Sequence, residues 1–138
     1  MNRYIRIFSL VILATLLLSN PVEGQKKQKD SKAQAAYDAG EYFEAIDLYK
    51  NAVNKVNDQT QKTAILFKIG ECYRVLGEAN SAELWYKKAV REDYQDPIIF
   101  LRYGQMMLIN EKYEDAIEQF KKYVELVPDD PRGNVGIE

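Results

Sequence analysis

From about residue 32 onward, apolar residues recur at i, i+3, i+4 and i+7, the spacing that lays one apolar stripe along an α-helix. The pattern predicts helices over roughly 32–39, 42–56, 60–76, 79–92, 97–109 and 113–126, separated by short breaks. The pattern also repeats. Gly40 to Ala52 reads GEYFEAIDLYKNA, Gly77 to Ala89 reads GEANSAELWYKKA, and Glu111 to Tyr123 reads EKYEDAIEQFKKY. The anchoring alanines Ala45, Ala82 and Ala116 lie 37 and then 34 residues apart, and a period near 34 describes stacked units of two helices, A and B.

Within each unit, Ala33, Gly70 or Gly104 is expected where helix A meets helix B most closely, with Ala45, Ala82 or Ala116 as the opposing small face. Tyr49, Tyr86 and Phe120 would then fill the gap toward the next unit. Gly40 and Gly77 can take the left-handed conformation that ends helix A, and Asn110 is the expected substitute in the third copy. In the first copy, Lys29 and Lys32 replace apolar positions, which suits an exposed edge or a helix that begins near Ala33. The three extra residues between the first two copies fall in the polar stretch 54–61. Tyr94 stands where the third copy has the closing Pro128, and Pro97 opens the next helix, where proline is tolerated.

Upstream of the anchors the second copy has Leu66, Ile69-Gly70 and Tyr73, then Ala82, Tyr86 and Ala89; the third has Phe100, Tyr103-Gly104 and Met107, then Ala116, Phe120 and Pro128. On these residues the chain resembles the tetratricopeptide (TPR) family from about Lys26 to Asp130, with repeats near 26–59, 63–96 and 97–130. The resemblance implies an all-α, right-handed superhelical solenoid whose concave face is built mainly by A helices. It implies a protein or peptide held in that groove, with no catalysis and no cofactor. In the repeat register the groove residues are Gln34, Tyr37 and Asp38, then Phe67, Glu71 and Arg74, then Leu101, Gln105 and Leu108. Family members that clamp a C-terminal carboxylate use lysines and asparagines at set positions. Those places here carry Asp30, Gln34 and Glu71, so an apolar segment or helix is the expected guest.

The first 24 residues carry a different pattern: Arg3 and Arg6, an apolar run from Ile7 to Leu18, and small residues Val22 and Gly24 placed for cleavage before Gln25. Twelve helical residues span about 18 Å, against a hydrocarbon core of about 30 Å. A cleaved secretory signal is the main reading, with an uncleaved anchor as the alternative. The polar stretch 25–31 reads as a solvated leader. Export to the periplasm, or to the periplasmic side of an outer membrane, follows as the expected location.

Composition then removes chemistry. The chain has 138 residues, 19 Lys+Arg, 21 Asp+Glu, no histidine and a single cysteine, Cys72. This leaves no histidine base, no Cys/His zinc cluster and no intrachain disulfide, so no metal is expected. A net charge of −2 gives no basic footprint for nucleic acid. The carboxylates are dispersed over helix surfaces and form no acid/base pair. Cys72 reads as a semi-buried core thiol, with an intermolecular disulfide as its alternative use. Trp85 and the tyrosines fall at core spacing. Lys87-Lys88 and Lys121-Lys122 read as outward charges, paired one turn away with Glu83, Glu118 or Glu125.

Stacked repeats expose an apolar face at each end. The tail 131–138 is short and rich in Gly and Pro, so Ile117, Phe120 and Val124 are expected to stay partly uncovered. On that expectation the chain continues, or docks a partner or a second copy through its terminal repeat. The signal, the polar QKKQK stretch, the repeats and the VPDDPRGNVGIE tail are similar to the N-terminal region of envelope proteins that continue into a β-propeller and an OmpA-like domain, some of them in the type IX secretion apparatus. This second resemblance implies a subunit of an envelope or secretion complex.

Overall fold

The computed structural model describes residues 32–136. The signal-like segment 1–24, the leader 25–31, Lys29, Asp30 and the last two residues lie outside the described residues. Six helices form where the apolar periodicity places them: α1 (32–38), α2 (Tyr42–Val53), α3 (Gln59–Val75), α4 (Ala79–Arg91), α5 (Ile98–Ile109) and α6 (Tyr113–Leu126). A 3₁₀ turn, Pro131–Gly136, follows, and no strand occurs among the described residues. The one boundary that moves by more than a residue is the end of α2, at Val53 instead of 56. There the Asn54 side chain donates to the Lys50 carbonyl at 3.1 Å, and Lys55 N–H bonds back to Ala52, tightening the last turn so that the helix stops.

The A helices α1, α3 and α5 end in one turn design. Gly40, Gly77 and Glu111 have φ of 79°, 77° and 62°, and each sends its N–H back three residues while the next residue sends its own back five. This is the Schellman closure, which occupies carbonyls that the helix leaves free. In the third copy Glu111, not Asn110, takes the left-handed position: Asn110 stays at φ −85° and serves as a side-chain donor. The register places Glu111 opposite the two glycines, and the surrounding turn imposes on it the conformation that Gly adopts without strain.

Consecutive helices pack on one another from α2 through α6. Two clusters of buried residues result. The first joins Ala33, Ala36, Ala45, Ile46, Tyr49 and Ala52 with Ile65, Ile69 and Cys72. The second runs from Leu66 through Tyr86, Ala89 and Leu101 to Phe120 and Tyr123. Helix α3 feeds both, with Ile65 and Ile69 on one side and Leu66 on the other.

The glycines in the A helices make room for rings. A Cβ on Gly70 would lie 2.6 Å from Tyr86 Cε1, and one on Gly104 would lie 2.9 Å from Phe120 Cε1. The aromatic of helix B therefore sits over the small residue of its own repeat, where the sequence led us to expect an alanine face with the ring turned toward the next repeat. The alanines Ala45, Ala82 and Ala116 are fully buried as well.

The chain end also differs from expectation. The turn Pro131–Gly136 folds back on α6 and α5. Gly133 is buried so closely against the helix that a Cβ there would meet Val124 Cγ2 at 2.6 Å. Tyr123 donates its hydroxyl proton to Asp130 at 2.5 Å, and Arg132 forms an ion pair with the same carboxylate. Tyr123 is buried beside this turn and Phe120 is buried over Gly104, while Ile117 and Val124 are half-buried, partly uncovered as the sequence led us to expect.

Candidate functional site

The surface shared by α1, α3 and α5 is where the repeat register gathers its non-core side chains. Gln34 accepts a hydrogen bond from Tyr49 at 3.0 Å and donates to Asp38 at 2.7 Å. Tyr37 is edge-on to Tyr42 at 5.5 Å, and the Lys68 ammonium lies 5.0 Å from the Tyr37 ring centroid, linking α1 to α3. Phe67 stacks on Tyr94 with centroids 4.8 Å apart and the planes at 11°. Gln105 is half-buried, and Leu108 is 42% exposed.

Glu71 is the electrostatic centre of this face. Arg74 bonds it through two nitrogens at 3.0 and 2.9 Å, Tyr86 donates its hydroxyl proton to it, and Arg102 Nε lies 3.7 Å from its Oε1. Burial alone would raise the carboxyl pKa, but the bonds from Arg74 and Tyr86 and the charges of Arg74 and Arg102 outweigh it and hold the group below its usual value. Burial, together with the carboxylate it faces, drives the Tyr86 phenol far upward. The cluster is therefore two guanidiniums around one ionised carboxylate.

Of the nine groove residues named from the sequence, the structure brings Glu71 and Arg74 into direct contact and links Gln105 to them through Arg102, whose Nη1 donates to Gln105 at 3.2 Å. Gln34 and Asp38 pair on α1, and Tyr37, Phe67 and Leu108 remain partly exposed. Leu101 must be corrected: it is fully buried in the second cluster and offers no surface to a guest. The residue beside it, Arg102, was missed. So were Lys68, Val75 and Ile109, the last two 43% and 64% exposed. The repeat itself carried the signal, because 68 and 102, like 75 and 109, are one period apart, two cations at one position and two aliphatics at the other.

Residues away from this face have structural partners. Cys72 is fully buried, and burial pushes its thiol up to about 11, so it is a protonated core group out of reach of another chain. Lys88 lies 3.9 Å from the Trp85 ring centroid, not beside a carboxylate. Glu83 does not pair within its own helix; it holds Asn110 and Lys112 at 2.6 Å each and thereby fixes the turn between α5 and α6. Lys122 and Glu118 pair at 2.7 Å as expected. Two clefts of about 370 and 380 Å³ open at opposite edges of the stack, one beside Thr60 and Tyr94, the other beside Gly77 and Ile109. Among the described residues no group of three or more His, Cys, Asp or Glu could hold a metal, and no helix is long and apolar enough to cross a membrane.

Several solved structures share this fold. The Yersinia enterocolitica type III secretion chaperone SycD, in complex with a peptide of the translocator YopD, aligns with TM-score 0.72 at 17% identity over 86% of this chain and 94% of that one. The second TPR domain of human RPAP3, in complex with the HSP70 peptide SGPTIEEVD, aligns with TM-score 0.72 at 17% identity over 83% and 93%. Among curated proteins, the human protein O-mannosyl-transferase TMTC2 is 30% identical over 92 residues, 67% of this chain but only 11% of that protein. The profile described as tetratricopeptide repeat matches residues 31–97 and 88–131, which takes in every helix described above, and the chain belongs to the tetratricopeptide repeat family.

Proposed function

We propose that the protein is a non-catalytic interaction scaffold that holds a peptide, or an extended segment of a partner, along the face built by α1, α3 and α5. The observation that carries this reading is the state of that face. Aromatic and charged side chains there are already fixed by one another, as in the Phe67–Tyr94 stack and the Glu71–Arg74 pair, while Val75, Leu108 and Ile109 stay exposed at the C-terminal ends of α3 and α5. A rigid polar centre with free aliphatic surface is what a groove needs to bind without paying to order itself. The peptide complexes of SycD and RPAP3, on the same fold, support the same reading.

The setting we propose is the cell envelope. Arg3, Arg6 and the apolar run Ile7–Leu18 support export, and the likeness of the tail to envelope proteins supports a place in a secretion or outer-membrane complex. Permanent docking through the terminal repeat is the second reading: of the residues it would use, Phe120 is buried, and Ile117 and Val124 keep part of their surface.

Val75→Asp and Leu108→Asp place charge on the exposed aliphatics without touching the buried clusters. Selection of displayed peptides should succeed on the wild type and fail on the double variant with an unchanged melting temperature; equal selection on both would sink the groove reading. Fractionation of a tagged chain tests location, and recovery in the cytoplasm with residues 1–24 intact would refute export.

A further inference from the structure

Between α2 and α4, on residues outside the groove, two ammonium groups share one indole. Lys50 Nζ lies 5.7 Å from the Trp85 ring centroid, and Lys88 Nζ lies 3.9 Å from it. Lys50 also donates to the Tyr73 hydroxyl at 2.8 Å, which uses one of its three donors. Neither lysine has an ion pair among the described residues. The repeat register shows what is missing. Asp47, Leu84 and Glu118 occupy one position in α2, α4 and α6, one turn before Asn51, Lys88 and Lys122. In α6 that acid pairs with its lysine at 2.7 Å, whereas in α4 its place is taken by Leu84, 52% exposed, and Lys88 lies against the ring instead. The one carboxylate of α4, Glu83, is buried and bonded to Asn110 and Lys112. The exposed row Leu84, Lys87, Lys88 and Arg91 is thus an aliphatic side chain followed by three cations, with no exposed anion on the helix to balance them.

We infer that this face of α4 docks the protein on a lipid surface bearing anionic headgroups, with Lys50 and Lys88 taking headgroup phosphates and Leu84 and the Trp85 ring entering the boundary beneath them. Charge complementarity and the apolar pair together select that occupant, because uncompensated cations beside exposed apolar side chains combine electrostatic attraction with apolar burial at an interface. Indole favours the headgroup level of a bilayer. A lysine stem is long enough to leave the ring and reach a phosphate while its methylenes stay on apolar surface. The cation–π contacts given up are weak at an exposed site. An acidic protein surface would meet the lysines but would have no use for Leu84 and the indole.

Trp85 is the sole tryptophan of the chain, so its fluorescence reads the site directly. The full chain is mixed with vesicles of phosphatidylcholine alone, or of phosphatidylcholine and phosphatidylglycerol in equal parts. Every sample keeps residues 1–24, so attachment through their apolar run is common to all. On the anionic vesicles alone, Trp85 emission should shift to the blue and be quenched by brominated acyl chains, and added salt should weaken both effects. Leu84→Glu restores the acid that the other two repeats carry at this position. It should lower the docked-to-free ratio read from the quenching about tenfold at an unchanged melting temperature, and Lys50→Gln with Lys88→Gln should do the same. No shift on anionic vesicles, an equal shift on phosphatidylcholine alone, or quenching that survives both variants overturns the proposal. A blue shift of the same size with soluble polyglutamate assigns the lysines to an acidic protein and overturns it as well. None of these outcomes touches the groove reading, which uses other residues.

Discussion

The Tyr86 phenol donates its proton to the Glu71 carboxylate while its ring occupies the space that a Cβ on Gly70 would need. One side chain thus closes the second repeat and orients the charged centre of the face shared by α1, α3 and α5. The first repeat uses the same relation, with Tyr49 bonded to Gln34 beside Ala33. The third keeps the ring as Phe120 but drops the hydroxyl, and Gln105 turns to Arg102 instead.

Gly70→Ala should therefore be costly despite the better helix propensity of alanine. Its Cβ at 2.6 Å from the ring forces the helices apart, and overpacking of this kind costs about 1–3 kcal/mol. Urea unfolding should show the loss, and Tyr86→Leu in the same chain should recover part of it. An unchanged midpoint in Gly70→Ala would contradict the packing described here.

Glu71→Gln removes the carboxylate that both guanidiniums face. Its side chain is 11% exposed and that of Arg74 25%, so a loss of about 1–3 kcal/mol is expected, below the figure for a fully buried pair. The folded pKa of Glu71 is depressed, so its contribution is complete above the ordinary carboxylate value and is lost as pH falls through the folded value. Wild type should lose stability more steeply than Glu71→Gln below about pH 4, and the two curves should converge in acid. Parallel acid-unfolding curves would remove this role.

Glu111→Gly relieves a non-glycine residue at φ 62° in a turn whose two counterparts are glycines. A gain of about 0.5–1 kcal/mol is expected, the left-handed cost less the added freedom of the unfolded glycine. Gly77→Ala should show the opposite sign. Thermal melts of the two variants provide the check.

Gly133→Leu should displace the 3₁₀ turn from α6, since even a Cβ has no room against Val124 and Tyr123. The Tyr123–Asp130 bond would open with it. Faster proteolysis after residue 127 and increased binding of an apolar dye are the expected signs, with the earlier helices unaffected.

Cys72 should resist a thiol reagent in the folded protein and react fully in denaturant, because its thiol is buried and its pKa is pushed up to about 11. Rapid reaction under native conditions would show that α3 opens.

The helices and their pairing were legible in the sequence because burial of a helix face depends on local periodicity, and a repeat states that periodicity three times. The roles of Gly40 and Gly77 were legible for a similar reason, since few residues tolerate a left-handed turn. Register alone was too coarse for the rest. Leu101 and Arg102 are adjacent, and a rotation of one residue, about 100° around a helix, decides which is core and which is surface. Nor does register say that Glu83 reaches across to Lys112 and away from its own helix, or that Lys88 covers Trp85.

The sequence by itself determined the architecture: three two-helix units, their small residues and the turns between them. Only the tertiary structure decided which charges meet, because Glu71, Tyr86 and Arg102 come from three helices and their contact depends on how those helices stack. It also decided that the tail Pro131–Gly136 folds over α6, a contact between the buried backbone of Gly133 and two side chains, Tyr123 and Val124, to which no periodicity points.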